Sequence, residues 1–188
     1  MKVKPSPSKG KVVVELNPAD DRLLESSSKV AGLAASPFKL KRLLVPIDFS
    51  ACSKKALQYA IPFAEQFQAS LTLLYVVQIN YAVGELGAID VSMLEVEMRQ
   101  QASQRLAELV RDEVRKRVPS ETIVRMGRPV TEIITAAKEL EADLIILSTH
   151  GYTGLKHVLL GSTAENVLRH APCPVLAVRE HEREFIAT

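Results

Sequence analysis

The sequence predicts an α/β domain on an open parallel sheet of five strands, order 3-2-1-4-5, with helices on both faces. Three observations carry this. Apolar runs of strand length recur five times between residues 40 and 179. Helical patterns separate them, so each strand returns by a crossover rather than a hairpin. Most of the runs are continuously apolar, as in strands covered on both faces.

Leu43-Leu44-Val45-Pro46-Ile47 is the first run, with Pro46 suited only to the C-terminal end of a central strand. Ser50 caps a helix through Phe67, whose Cys52, Ala56, Leu57, Ala60, Ile61 and Ala64 share one face; Pro62 should bend it or shift its exposed side. Ser70 to Val77 is the second strand, and Gln78 to Asp90, with Gly84 and Gly87, reads as a loop. A long helix from Val91 to about Val118, stopped by Pro119, buries Leu94, Met98, Leu106 and Val114, with Met93 also counted as core. Glu121 to Arg125 is the third strand. Gly127-Arg128-Pro129 opens a helix to about Glu141, Asp143 to Leu147 is the fourth strand, Thr163 to Arg169 a helix, and Val175 to Val178 the fifth strand.

Three segments follow from composition. Residues 1–39, rich in Lys, Pro and Ser, read as a flexible extension, in which Val12-Val13-Val14 suits a short strand and Asp20 to Leu33 a transient helix. Residues 40–179 form the domain, and 180–188 a charged tail. A length of 188 residues with 47% hydrophobic content provides for a sizeable core. The formal charge of +2 gives no long-range attraction to nucleic acid or to an anionic membrane. No apolar run is long enough to span a bilayer and no secretory leader is apparent, so a cytoplasmic protein is expected. Cys52 and Cys173 lack metal or redox spacing and read as small core residues.

In a 3-2-1-4-5 sheet the order reverses between strands 1 and 4, and ligands bind at the strands' C-terminal ends there. Asp48 ends strand 1 and Ser148 ends strand 4. After Ser148 comes a two-part glycine loop, Gly151-Tyr152-Thr153-Gly154 and then Gly161-Ser162, with nine residues between Gly151 and Gly161. Ser162 at the N-cap of the last helix, with the N–H groups of Thr163 and Ala164, suits a phosphate; equally, Ser162 caps the helix and the glycines make turns. No Gly-Lys-Ser/Thr follows, so this is not a Walker A loop. Asp48 either accepts from ribose or adenine donors or caps the helix after strand 1. His150 reads as an exposed loop residue first and a phosphate donor second, and no residues have metal-ligand spacing.

The segments Leu44-Val45-Pro46-Ile47-Asp48-Phe49-Ser50, Leu73-Leu74-Tyr75-Val76, Gly127-Arg128-Pro129, Ser148-Thr149-His150-Gly151 through Gly161-Ser162, and Ala171-Pro172-Cys173-Pro174-Val175-Leu176 resemble the universal stress protein family. The resemblance implies a flavodoxin-like fold of the adenine nucleotide hydrolase-like superfamily, often a homodimer through the last strand, here Val175 to Val178. The ATP-binding branch of that family has Gly, two residues, Gly, nine residues, Gly and Ser or Thr. Gly151, Gly161 and Ser162 match its later positions, and Ser148 stands at its first glycine. The resemblance thus implies Pro46, Asp48 and Val76 around adenine and ribose, and Ser148, Gly151, Gly161, Ser162 and Thr163 around the phosphates of ATP, carried with magnesium. The expected function is a stress-response binding or signalling module. The alternatives are a nucleotide-free dimeric interaction protein and a slow ATP hydrolase, for which no general base or Walker lysine is visible.

Overall fold

The computed structural model describes residues 39–78, 91–150 and 161–179, with the backbone of two N-terminal strands. The chain divides into two units, Met1–Lys39 and Leu40–Thr188. In the first, β1 (Lys2–Pro5) and β2 (Val12–Glu15) pair antiparallel, Lys2 opposite Glu15 and Pro5 opposite Val12. The strand expected at Val12–Val14 is present, with a partner that the Lys/Pro-rich start did not signal. The helix expected over Asp20–Leu33 lies outside the described residues.

The second unit contains β3 (Arg42–Ile47), α1 (Ala51–Phe67), β4 (Ser70–Val77), α2 (Val91–Leu109), β5 (Ser120–Met126), α3 (Pro129–Glu139), β6 (Leu144–Ser148), α4 (Ser162–His170) and β7 (Val175–Val178). Its sheet has the order β5-β4-β3-β6-β7 with every pairing parallel, which is 3-2-1-4-5 counted within the unit.

Consecutive apolar residues in β3 serve two different cores, because side chains alternate between faces. Leu43 and Val45 pack with Leu71, Leu73 and Ile146 against Ala56 and Ala60 of α1 and Leu106 of α2. Leu44, between them, packs with Leu74 and Ile145 against Ile133 of α3 and Val167 of α4. Each such buried leucine contributes about 1.5–3 kcal/mol. The helix pairs therefore cover opposite faces, and at the strands' C-terminal ends the sheet itself parts.

That parting lies between β3 and β6. Their ladder has two rows, Leu43 with Leu144 and Leu44 with Ile145, whereas β3 stays paired with β4 as far as Ile47 with Tyr75. Pro46, lacking an N–H, has no bond to donate to a further β6 row. At the other end of the same strands Asp143 acts as a clamp, its Oδ2 accepting from the N–H groups of Lys41 (2.7 Å) and Arg42 (2.9 Å).

Two expectations need correction. The long helix does not reach Val118. After Leu109 it widens into a π turn, Val110–Val114, closed by the Arg115 N–H on the Val110 carbonyl at 3.1 Å. Arg115 and Lys116 are then left-handed, φ 49° and 60°, and this reversal lets both Val114 and Val118 enter the core. Pro119 is not the terminator; its carbonyl accepts from Leu71 N–H at the entry to β5. Met93 is 64% exposed and Leu94 49%, because α2 meets the core only from Ala102 onward. Pro62 lies inside α1, which runs unbroken over its 17 residues.

Both cysteines are free thiols, Cys52 buried and Cys173 half-buried. Burial, and then the charge of Asp143, push the Cys173 thiol above its ordinary value, so it stays protonated at neutral pH. No helix among the described residues is long and apolar enough to cross a membrane.

Candidate functional site

The C-terminal edge of the sheet collects the expected residues from distant parts of the chain. Pro46 comes from β3 and Asp48 directly follows that strand, Val76 comes from β4, Ser148 from β6, and Gly161, Ser162 and Thr163 from the cap and first turn of α4. Ile47 pairs with Tyr75, which sets Asp48 level with Val76. The β3–β6 rows, continued, set Asp48 level with Thr149. Gly151 lies outside the described residues.

The start of α4 is held against the end of β6 by one close contact. Gly161 N–H donates to the Thr149 carbonyl at 2.7 Å, and a Cβ on Gly161 would sit 2.9 Å from that same oxygen. Only glycine permits this approach without a shift. Thr149 is in turn tied to β7, its N–H donating to Val178 O at 2.9 Å. Gly161 thus docks the helix; its own N–H is committed to Thr149.

The expected N-cap is displaced by one residue. Gly161, not Ser162, is the N-cap of α4, and no side chain caps the helix; Ser162 is its first residue. The extended Gly161 (φ −66°, ψ 148°) needed for the Thr149 contact occupies the cap position itself. The first intrahelical bond is Glu165 N–H to Gly161 O at 3.0 Å, so the N–H groups of Ser162, Thr163 and Ala164 precede it without an intrahelical acceptor. They sit at the positive end of the helix dipole, with the Ser162 hydroxyl exposed beside them.

Of the two roles read from sequence for Asp48, the structure shows the capping one, exercised through Ser50. Its Oδ1 accepts from Ser50 N–H (2.9 Å) and Ser50 Oγ–H (2.5 Å), while Ser50 Oγ accepts from Ser53 N–H (3.1 Å). The carboxylate therefore orients the residue that caps α1, and remains half-buried at the crevice. Between them Phe49 is left-handed, φ 63°, an uncommon conformation for a bulky residue. Its ring packs 4.8 Å from Tyr75 on one side, and the Arg105 guanidinium lies 3.9 Å above it. Neither this stack nor Thr149 stood out in sequence, since nothing local marks a phenylalanine for φ > 0 or a threonine carbonyl for a helix.

On β6, Ser148 Oγ donates to His150 O at 2.8 Å, and Thr149 Oγ1 lies 3.0 Å from His150 Nδ1. His150 is half-buried rather than the exposed loop residue expected. Val76 is half-buried against the α3/α4 core. Its neighbour Arg125 is paired with Glu132 (3.6 Å) and with Glu139.

Chemically, a half-buried carboxylate, an apolar strand end and a helix N-terminus on one crevice suit an anion carrying a hydrogen-bonding group. Among the described residues no cluster of His, Cys, Asp or Glu could hold a metal ion.

A model of the universal stress protein family matches residues 39–179. Universal stress protein MJ0531 of Methanocaldococcus jannaschii is 33% identical over 144 residues, 77% of this chain and 85% of that protein. The solved structure of MJ0577 superposes with TM-score 0.68 at 28% identity, over 78% of this chain and all of the other. Universal stress protein structures in complex with cAMP (TM-score 0.50, 22% identity, 76% of this chain and 98% of that one) and with dAMP (0.51, 17%, 74% and 98%) share the fold. On the match across its whole α/β unit, the chain belongs to the universal stress protein family.

Proposed function

We propose that the protein binds ATP, with magnesium carried on the phosphates, in the β3/β6 crevice, and acts as a binding or signalling module of the cytoplasmic stress response. The observation that carries this is the α4 N-terminus drawn onto Thr149 by Gly161, which leaves three helix-start N–H groups beside the end of β6. In this reading Pro46, Asp48 and Val76 meet adenine and ribose. Ser148, Gly151, Ser162 and Thr163 line the phosphates, and Gly161 supports them by seating the helix. Residues 40–179 are the binding domain, with 1–39 and 180–188 as appendages. That fold relatives were solved with cAMP and dAMP agrees with an adenine ligand. The test is mass spectrometry of whatever the denatured protein releases, followed by calorimetric titration with Mg-ATP. ATP or saturable heat is expected; ADP alone would turn the reading towards slow hydrolysis, and neither signal would overturn it.

The nucleotide-free, dimeric reading is favoured by one observation, that β7 is an edge strand whose Val175, Leu176 and Ala177 are only half-buried. An open edge of this kind is a template for a second copy. Leu176→Pro is expected to convert a β7-paired homodimer to monomer by sedimentation; an unchanged mass would exclude β7 as the interface.

A further inference from the structure

At the opposite end of the sheet from the crevice, the π turn and the start of β5 enclose an open trough of about 750 Å³. Val110, Val118 and Pro119 give it an apolar floor, and Arg111, Arg115, Lys116 and Arg117 rim it. None of its lining residues is acidic. The cations are not equivalent. Arg117 is held bidentate by Glu65 (2.7 and 2.8 Å), Arg111 meets Asp112 at 3.0 Å, and Arg115 Nε donates to the Asp112 carbonyl. Lys116 has no ion pair among the described residues. Its left-handed backbone follows a π turn, a feature frequent at functional positions. Alongside runs β5, an edge strand. An open trough beside an unpaired strand edge suits an extended chain better than an enclosed small molecule, and its charge calls for an acidic one.

The chain itself carries such a segment. Residues 180–186 read Glu-His-Glu-Arg-Glu-Phe-Ile. In an extended conformation Glu180, Glu182, Glu184 and Ile186 fall on one side, three carboxylates for the rim and an apolar end for the floor.

Reach decides whose segment it is. Through Ile145, Leu44 and Thr72, Val175 is level with Glu121, so Arg179 is level with Arg125, five residues along from Ser120. β7 and β5 are also four strand spacings apart. At about 3.3 Å per residue and about 4.8 Å per strand this is roughly 25 Å in a straight line through the core, and more around it. Arg179 to Ile186 spans at most about 25 Å fully extended. The segment cannot seat Ile186 in its own trough.

We propose that residues 180–186 of one copy dock in the Arg111–Ser120 trough of a second copy. Tail and trough are different surfaces, so the contact joins copies either reciprocally in a two-fold pair or head to tail in a longer assembly.

The experiment is sedimentation velocity of the full chain over a concentration series at low salt. The weight-average mass is expected to rise with concentration, and to rise less at high salt. Lys116→Glu and Glu182→Lys should each remove that rise, and the double variant should restore it; far-UV circular dichroism checks folding, and Ile186→Ser gives a charge-independent loss. A labelled peptide of residues 179–188 should bind the Glu182→Lys chain and bind the Lys116→Glu chain about tenfold more weakly. A mass that does not rise, a rise indifferent to Lys116→Glu, or a double variant without recovery overturns the proposal. So does an unrelated glutamate-rich peptide that binds while the 179–188 peptide does not, which would assign the trough to a different acidic partner.

Discussion

Gly161→Val is expected to lower stability by about 1–3 kcal/mol and to weaken Mg-ATP binding at least about tenfold. The Cβ that valine adds would lie 2.9 Å from the Thr149 carbonyl, a backbone atom that cannot rotate away. Either α4 moves off the sheet, losing the 2.7 Å hydrogen bond, or Thr149 moves and disturbs its own bond to Val178. The first displaces the N–H groups of Ser162 and Thr163 and the second displaces the end of β6 that faces them, where a phosphate must fit within a few tenths of an ångström. Urea unfolding and calorimetry measure the two effects separately. A variant with an unchanged midpoint and unchanged affinity would show that this contact does not seat the helix.

The second large effect is expected at Asp48, where two substitutions separate its roles. Asp48→Ala removes the acceptor for Ser50 N–H and Oγ–H, with an expected loss of about 1–3 kcal/mol in stability and of nucleotide binding together. Asp48→Asn keeps an amide oxygen for Ser50 and should stay within about 1 kcal/mol of wild type. It nonetheless loses the charge that strengthens hydrogen bonds from ribose hydroxyls, so Mg-ATP affinity should fall about tenfold while the unfolding midpoint holds. Asp48→Asn with full affinity would reduce the carboxylate to a helix-capping device.

Much of this site is tied into the scaffold rather than laid on top of it. Thr149 joins α4 to β7, Asp48 joins β3 to the cap of α1, and Pro46 opens the gap between β3 and β6. Ligand affinity and local stability are therefore expected to move together for most substitutions here, which makes Asp48→Asn the informative exception.

The sequence by itself determined the five strands of the parallel sheet, most of the helices, their order and the switch point. Each follows from a local signal: continuous apolar runs such as Leu43–Val45, helix periodicity in α1, and Pro129 at a helix start. It also singled out Asp48, Ser148, Gly161 and Ser162, because small and acidic residues break the apolar pattern at strand ends. The tertiary structure alone decided what those residues touch. Gly161 is required by an oxygen twelve positions earlier, and its close approach to Thr149 moves the cap from Ser162 to Gly161. Phe49 is held left-handed where Tyr75 and Arg105 meet it, and the helix ends at Val114 because Val118 is needed in the core. Such features depend on contacts between segments far apart in the chain, and no periodicity or spacing within a segment encodes the atom that another segment will bring.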